Sequence, residues 1–134
     1  FRTRIPRNVT LSYNGLAIAP VQAMINGALF EWVVENLLKN SLDALQGQGE
    51  IDVRISDDLE WVYIDVKDTG KGIPKSNFKR IFEPGFTTKT RGWGLGLSLS
   101  RRIIEEYHKG RIYVVDSEPG RGTTIRIALK RLYA

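Results

Sequence analysis

Two asparagines spaced four residues apart are the first residues that could do chemistry. Asn36 and Asn40 lie in the segment ENLLKNSLDA, residues 35–44, within a run of apolar pairs typical of a helix. Residues at positions i and i+4 share one face of a helix, and asparagine is a poor residue for a helix interior. The spacing fits equally well a pair of amide oxygens presented to Mg²⁺ and phosphates, and an amide-rich helix flank without a ligand.

A carboxylate at the end of an apolar strand is the second candidate. Asp68 continues the apolar face of the predicted strand 61–68, and Gly70 and Gly72 follow it in DTGKGIP. Such a carboxylate can accept a hydrogen bond from a ligand amine, for example the exocyclic amine of adenine. Asp-Thr-Gly is also a common turn, and on this motif alone the turn is the favoured interpretation.

Alternate glycines lead into a second predicted helix. GWGLGLS places Gly92, Gly94 and Gly96 at the start of the helix predicted over 94–107. The unpaired N–H groups of a helix start attract phosphate, and glycine lets the phosphate reach the backbone. The spacing matches neither the Walker A pattern nor GxGxxG, so the run alone is a weak signal. PGRGTT, residues 119–124, by itself indicates a hairpin turn.

The composition limits the chemistry that these residues can do. The chain has 134 residues, no cysteine and one histidine, which excludes thiolate chemistry, disulfides and zinc sites with two imidazoles. Its net charge of +5 comes from scattered basic residues, which favours a nucleotide ligand or a solvated face over a nucleic-acid groove. No apolar run is long enough to span a membrane, and the first residue is not methionine, so we expect one domain of a larger protein.

Hydrophobic spacing predicts the elements that must position these residues. The predicted order is a strand over 9–13, a helix over 21–46, strands over 50–56 and 61–68, a long loop over 69–93, a helix over 94–107, and strands over 110–117 and 123–130. Leu95, Leu99, Ile103 and Tyr107 are expected to face inward from the second helix. This order predicts an α+β sandwich with helices on one face of a mixed sheet.

Together the motifs resemble one known family. Five segments resemble, in chain order, the conserved boxes of the GHKL ATPase superfamily. ENLLKNSLDA resembles the N box, DTGKGIP the first glycine box and RIFEPGFTTK the F box, while GWGLGLS and GRGTT resemble the second glycine box and the third glycine segment. Over about residues 9–130 the chain is similar to the catalytic ATP-binding domain of bacterial sensor histidine kinases. The resemblance implies the Bergerat fold, a mixed sheet packed on one face by about three α-helices, with an ATP lid at about residues 78–94. It also implies that residues 1–134 are a single catalytic domain, a fragment of a larger kinase.

The resemblance also implies a role for each matching residue. Asn40 is the expected Mg²⁺ ligand and a catalytic residue, Asn36 lies beside it near the phosphates, and Asp68 is expected to hold the adenine amine. Arg80 and Lys89 are the expected catalytic contacts to phosphate charge. The other expected nucleotide contacts are Gly70, Gly72, Ile73, Thr88, Gly92, Gly94, Leu95, Gly96 and, through water, Thr123.

Two residues depart from the family pattern. Gly85 stands where members often have a second phenylalanine in the F box, which puts the packing of the lid in question. Asp43 stands where many members carry a lysine in the N box. The second departure removes one expected phosphate partner and shifts its role to Lys39, Arg80 or Lys89.

The single histidine is not expected to be a phosphoacceptor. His108 lies in EEYHKG at the end of a predicted helix, where a positive charge is favourable against the helix dipole. The acceptor of this family sits in a separate dimerisation domain. The resemblance thus implies a protein histidine kinase domain that binds ATP and Mg²⁺ and donates the γ-phosphoryl group to a histidine of that domain in the same parent protein. Its other implied partner is a response regulator receiver domain. No nucleic acid and no direct membrane contact are expected, and the location is cytoplasmic, with a parent that can be anchored in the inner membrane.

Three alternative functions accompany this interpretation. A GHKL conformational ATPase typically has a glutamate at the position of Asn36 to activate water, so the asparagine favours transfer over hydrolysis. An anti-sigma-type serine kinase would phosphorylate a serine without a histidine-bearing partner. A degenerate binding module would no longer hold ATP, which the intact Asn40, Asp68 and glycine boxes argue against.

Overall fold

Five strands form one mixed sheet in the computed structural model, which describes residues 9–15 (backbone only), 25–86 and 96–132. The strands are β1 (Val9–Gly15), β2 (Gly49–Asp57), β3 (Trp61–Asp68), β4 (Arg111–Glu118) and β5 (Gly122–Lys130). Their order in the sheet is β1-β2-β3-β5-β4. β1 runs parallel to β2, and the remaining neighbours are antiparallel. The predicted mixed sheet and both predicted hairpins are confirmed.

Helical segments cover one face of this sheet. They are α1 (Gly27–Leu45), α2 (Gly96–Arg102) with a π-helical continuation (Ile103–Tyr107), and two 3-10 turns (Lys75–Asn77 and Arg80–Phe82). The α+β class and the two-layer arrangement are therefore confirmed.

A single core of buried apolar side chains joins the two layers. Its members are Val33, Leu37, Leu38 and Leu45 of α1, Ile81, Phe82, Ile103 and Ile104 of the other helical segments, and Ile51, Val62, Ile64, Val66, Ile112, Val114, Ile125, Ile127 and Leu129 of the sheet. Burying such a side chain contributes about 1.5–3 kcal/mol. Asp68, a predicted site residue, lies next to this core because it continues the alternating pattern of buried residues along β3.

α1 begins later than the predicted position 21. Ile25 and Asn26 are not helical, and the Asn26 side chain accepts a hydrogen bond from the N–H of Leu29 at 3.2 Å. This N-cap satisfies one of the free N–H groups of the first turn, so the helix begins at Gly27. Residues 21–24 lie outside the described residues. The helix ends at Leu45 because Gln46 adopts a left-handed backbone, with φ of 54°.

The predicted inward face of the second helix is partly wrong. Ile103 is buried as expected, but Leu99 is 42% exposed and Tyr107 is 64% exposed. Ser100 and Ile104 are fully buried instead. α2 turns Ser100 inward because its hydroxyl has a polar partner on α1, described below, and hydrophobic spacing cannot register such a contact. Leu95 lies outside the described residues.

The described part of the predicted long loop contains both 3-10 turns. Ile81 and Phe82 are buried, so this stretch is fixed to the core and is not a free loop. No helix in the described ranges has the length and apolar character that a membrane crossing requires.

Candidate functional site

Asp68 is a buried carboxylate at the point where β3 ends against α1. Asp68 is only 4% exposed, and its Oδ1 accepts a hydrogen bond from the N–H of Gly70 at 2.9 Å. The hydroxyl of Ser41 on α1 and the main-chain N–H of Thr123 on β5 also donate to it. Burial raises the pKa of Asp68 above its ordinary value, and these three hydrogen bonds oppose that rise. A carboxylate has about four acceptor positions, so one remains for a ligand.

The two glycines of DTGKGIP let neighbouring backbones approach closely. A Cβ on Gly70 would stand 2.5 Å from the carbonyl oxygen of Ala44 on α1. Gly72 has φ of +71°, and a Cβ there would overlap the carbonyl of Glu118 at the end of β4. The N–H of Lys71 donates to the Ala44 carbonyl at 3.1 Å. The end of α1 and the β4–β5 turn therefore close on this loop from both sides.

A serine hydroxyl connects this loop to β5. The Oγ of Ser117 accepts from the N–H of Ile73, contacts the Oγ1 of Thr123 and donates to the carbonyl of Gly122, each at 2.8 Å. Thr123 pairs with Asp68 across the β3–β5 ladder, so the structure brings Ile73, Thr123 and Asp68 together. Sequence reasoning missed Ser117. Its place two residues before the Pro119-Gly120 turn was the available signal, because serine hydroxyls often bond nearby backbone groups.

The two predicted asparagines have different environments. The Asn36 amide donates to the hydroxyl of Ser100 at 3.1 Å, and that hydroxyl donates to the carbonyl of Gly96 at 2.8 Å. A Cβ on Gly96 would stand 2.8 Å from the Asn36 Oδ1, so this glycine lets the start of α2 rest on the amide. Asn40 is half-buried and makes no hydrogen bond to another described residue. Its amide oxygen is therefore available to a new ligand.

The donor set near Asn40 suits a cation that keeps most of its water ligands. Nowhere in the described ranges do three or more histidine, aspartate or glutamate side chains gather as a metal-binding group. A half-buried amide oxygen is a hard ligand of the kind Mg²⁺ accepts singly, with phosphate oxygens and waters completing its shell. The residues present therefore fit Mg²⁺ brought in with a nucleotide.

The predicted lid residues are only partly described. Arg80 is exposed, and its guanidinium carbon lies 5.7 Å from the ring centre of Phe86. Within the described residues Arg80 makes no hydrogen bond or ion pair with Asp68 or Asn40. Gly85 has φ of +83°, and no described residue lies within 4 Å of its Cβ position, so it allows a left-handed turn where a phenylalanine would be strained. The predicted contacts Thr88, Lys89, Gly92, Gly94 and Leu95 lie outside the described residues.

The histidine lies at the end of the π-helical segment, as predicted. The Nε2 of His108 accepts from the N–H of Asn26 at 2.9 Å, and its Nδ1 lies 3.0 Å from the carbonyl oxygen of Ile103. Since Nε2 accepts, Nδ1 is the ring nitrogen that donates. The ring therefore joins the N-cap of α1 to the end of the second helical segment, a contact that the sequence did not predict. Its edge also contacts Phe30, with 5.9 Å between ring centres.

Comparison with known proteins identifies the family. A profile described as "Histidine kinase-, DNA gyrase B-, and HSP90-like ATPase" matches residues 26–132. Sporulation kinase A of Bacillus subtilis is 43% identical over 96 residues, which cover 72% of this chain and 16% of that protein. Sensor kinase CckA of Brucella abortus is 38% identical over 136 residues, covering 89% of this chain and 14% of that protein. The chain is thus similar to one part of much longer proteins.

Solved structures of histidine kinases have the same fold as this chain. The nucleotide-free catalytic domain of histidine kinase ThkA superposes with a TM-score of 0.80 at 28% identity, covering 92% of this chain and 80% of that domain. ThkA in complex with the response regulator protein TrrA superposes with a TM-score of 0.78 at 26% identity, covering 93% of this chain and 35% of that kinase chain. The chain belongs to the histidine kinase-, DNA gyrase B- and HSP90-like ATPase family, the GHKL superfamily, and its relatives there are sensor histidine kinases.

Proposed function

We propose that this chain binds Mg-ATP and presents the γ-phosphoryl group to a histidine on a separate dimerisation domain. As a member of an ATPase family, the chain is a nucleotide-binding domain. The observation that carries the proposal is the buried Asp68 carboxylate, which has three protein donors and one acceptor position left, beside the α1 face that bears Asn36 and Asn40. A base pocket next to two amide groups suits a nucleotide with its phosphates.

At the base end, Asp68 would accept one hydrogen of the adenine amine. Gly70, Gly72 and Ile73 would form the floor, since the two glycines hold the loop against α1 and β4. Thr123 would contact the base directly or through water. A buried acceptor left unpaired is costly, so ligands without an amine at this position should bind poorly.

At the phosphate end, Asn40 would hold Mg²⁺, because its amide lacks a partner among the described residues. Mg²⁺ supplies charge neutralisation for phosphates, which is most of what phosphoryl transfer requires. Gly96 would bring the start of α2 close to the phosphates, together with Gly92, Gly94 and Leu95. Arg80, Thr88 and Lys89 would contact phosphate from the lid, which we place at about residues 78–94.

The environment of Asn36 favours transfer over hydrolysis. Its side chain is a neutral amide held by Ser100, and an amide cannot take a proton from an attacking water. The domain would therefore hold ATP until a histidine approaches. We propose that residues 1–134 act as one catalytic domain within a longer kinase, whose parent supplies the dimerisation domain. A response regulator as the next partner is supported by the complex of ThkA with TrrA.

Calorimetric titration with Mg-ADP tests the nucleotide site. We expect saturable binding to the chain and loss of binding in Asp68→Ala. Asp65→Asn is the matched control, because Asp65 lies on the same strand but on the opposite face, where it pairs with Arg126. Loss of affinity in both variants, or in neither, would contradict the base pocket.

Transfer is tested with radiolabelled ATP and the parent's dimerisation domain added in trans. We expect acid-labile label on that domain, as phosphohistidine requires. Acid-stable label on a serine would support the serine-kinase alternative. Steady phosphate release by this chain alone would support a conformational ATPase.

A further inference from the structure

The hydroxyl of Ser117 controls a neighbouring hydroxyl at the predicted base pocket. We propose that Ser117 is a positioning residue that fixes the direction of the Thr123 hydroxyl hydrogen and so makes the pocket selective for an amino-substituted purine. This inference rests on the proposed nucleotide site at Asp68. It adds a residue and a source of base selectivity that the motifs do not contain.

The hydrogen-bond pattern permits only one assignment of the protons. Ser117 has one hydroxyl hydrogen and two oxygens within 2.8 Å, the carbonyl of Gly122 and the hydroxyl of Thr123. A carbonyl can only accept, whereas a hydroxyl can also donate. Both contacts are hydrogen bonds only if Ser117 donates to Gly122 and Thr123 donates to Ser117.

This assignment uses the full capacity of the Ser117 oxygen. A hydroxyl oxygen has two acceptor lone pairs, and here they receive the N–H of Ile73 and the hydroxyl of Thr123. The Thr123 hydrogen is therefore committed to Ser117. The Thr123 oxygen can then only accept from a ligand or from a water between them.

Two acceptors consequently stand side by side at the base pocket. Thr123 and Asp68 are direct partners in the β3–β5 register, and the ionised Asp68 carboxylate can likewise only accept. The two hydrogens of an exocyclic amine match a pair of acceptors. A purine with a 6-oxo group in the same place would bring a third oxygen against these two, with no hydrogen between them. The repulsion would exclude such a base from the pocket.

The ratio of affinities for Mg-ADP and Mg-inosine diphosphate measures this selectivity. We expect the unaltered chain to prefer ADP, and Ser117→Ala to reduce the ratio about tenfold, because the freed Thr123 hydroxyl can then rotate and donate to the oxo group. Ser117→Thr keeps the hydroxyl and should keep the ratio. Thr123→Val keeps the side-chain shape but removes the acceptor, so it should lower the ratio, and Ser117→Ala should add nothing in that background.

A purely structural role for Ser117 gives a different result. Loosening Ile73 and Gly122 would weaken both nucleotides together and leave the ratio unchanged, and that outcome overturns the inference while the nucleotide site stands. If Ser117→Ala does not fold, the pair Ser117→Thr and Thr123→Val decides, and an equal ratio in the two overturns the inference. If the unaltered chain binds no ADP, the proposed function itself fails, and the inference fails with it.

Discussion

At the scale of single residues, the environment of Asp68 sets opposite pH dependences for folding and for binding. Burial is the largest influence on this carboxyl and raises its pKa, while the hydrogen bonds from Gly70, Ser41 and Thr123 act against it. The folded chain therefore holds the Asp68 proton more tightly than the unfolded chain does. A ligand amine, in contrast, needs the ionised carboxylate as its acceptor.

The raised pKa of Asp68 should make the stability of the ligand-free chain depend on pH. With a raised pKa in the folded state, the stabilisation from protonated Asp68 is fully present below the unfolded value near 3.8 and is lost as pH rises through the folded pKa. The quantity to compare is the unfolding free energy of the unaltered chain minus that of Asp68→Asn. We expect this difference to fall as pH rises from the unfolded to the folded pKa of Asp68, and then to level off. Urea unfolding of both proteins at several pH values measures the difference. A difference that rises with pH would contradict the raised pKa.

Nucleotide affinity should change in the other direction. As pH rises through the same raised pKa, ionisation creates the acceptor, so Mg-ADP should bind more tightly. The measurement is calorimetry in matched buffers across that window, with Asp65→Asn as the control that retains the effect. An equal pH dependence in Asp68→Asn would assign the effect to another group.

Two glycines with similar backbone angles should respond differently to alanine. Gly72 and Gly85 both have positive φ, at +71° and +83°, but among the described residues only Gly72 faces a main-chain carbonyl, that of Glu118. Gly85→Ala should cost about 1–2 kcal/mol for the left-handed backbone. Gly72→Ala should cost substantially more, because a carbonyl of the neighbouring strand cannot move aside. Thermal unfolding compares them, and equal losses would contradict the close approach.

At the scale of elements, His108 joins the beginning of α1 to the end of the second helical segment. Its two hydrogen bonds reach Asn26 and Ile103. His108→Ala should therefore cost about 1–2 kcal/mol and should speed hydrogen exchange at the Asn26 N–H. Tyr107→Ala is the matched control, because Tyr107 is 64% exposed. Unchanged exchange at Asn26 would show that the contact does not hold the helix start.

Elements with a regular hydrophobic pattern were predictable from the sequence. β3 has the predicted bounds, because alternating apolar residues suffice to define a strand with one buried face. The start of α1 was not predictable to the residue, since Pro20 also marks a possible helix start and local spacing does not reveal the capping contact of Asn26. The inward turn of Ser100 and the role of Ser117 depend on partners far away in the chain, 64 residues away for Ser100 and 44 for Ser117. Local spacing contains no information about such pairs.

At the scale of the whole molecule, one face of the sheet has helices and the other carries paired charges and aromatic rings. Arg126 forms a bidentate pair with Asp65, at 2.8 and 2.9 Å, and lies 4.5 Å from the ring centre of Tyr63. Lys130 lies over the ring of Trp61 in the same way. These contacts satisfy part of the basic excess of the chain far from the site. The net charge was therefore a weaker guide to the ligand than the buried carboxylate.

The proposed site joins α1, the loop after β3, the start of α2 and the β4–β5 turn, so a bound nucleotide should stabilise the chain as one unit. A ligand that binds only the folded state adds about 2.7 kcal/mol at one hundred times its dissociation constant. For a chain of this size that corresponds to a rise in melting temperature of roughly 10 °C. We expect this rise with Mg-ADP, a much smaller one with Mg-GDP at the same concentration, and none with Asp68→Asn. Thermal scans followed by circular dichroism measure all three. The rise in melting temperature depends on how much nucleotide binds the folded chain, and Asp68→Asn removes the acceptor that the base requires. An equal rise in Asp68→Asn would therefore mean that the nucleotide binds away from Asp68.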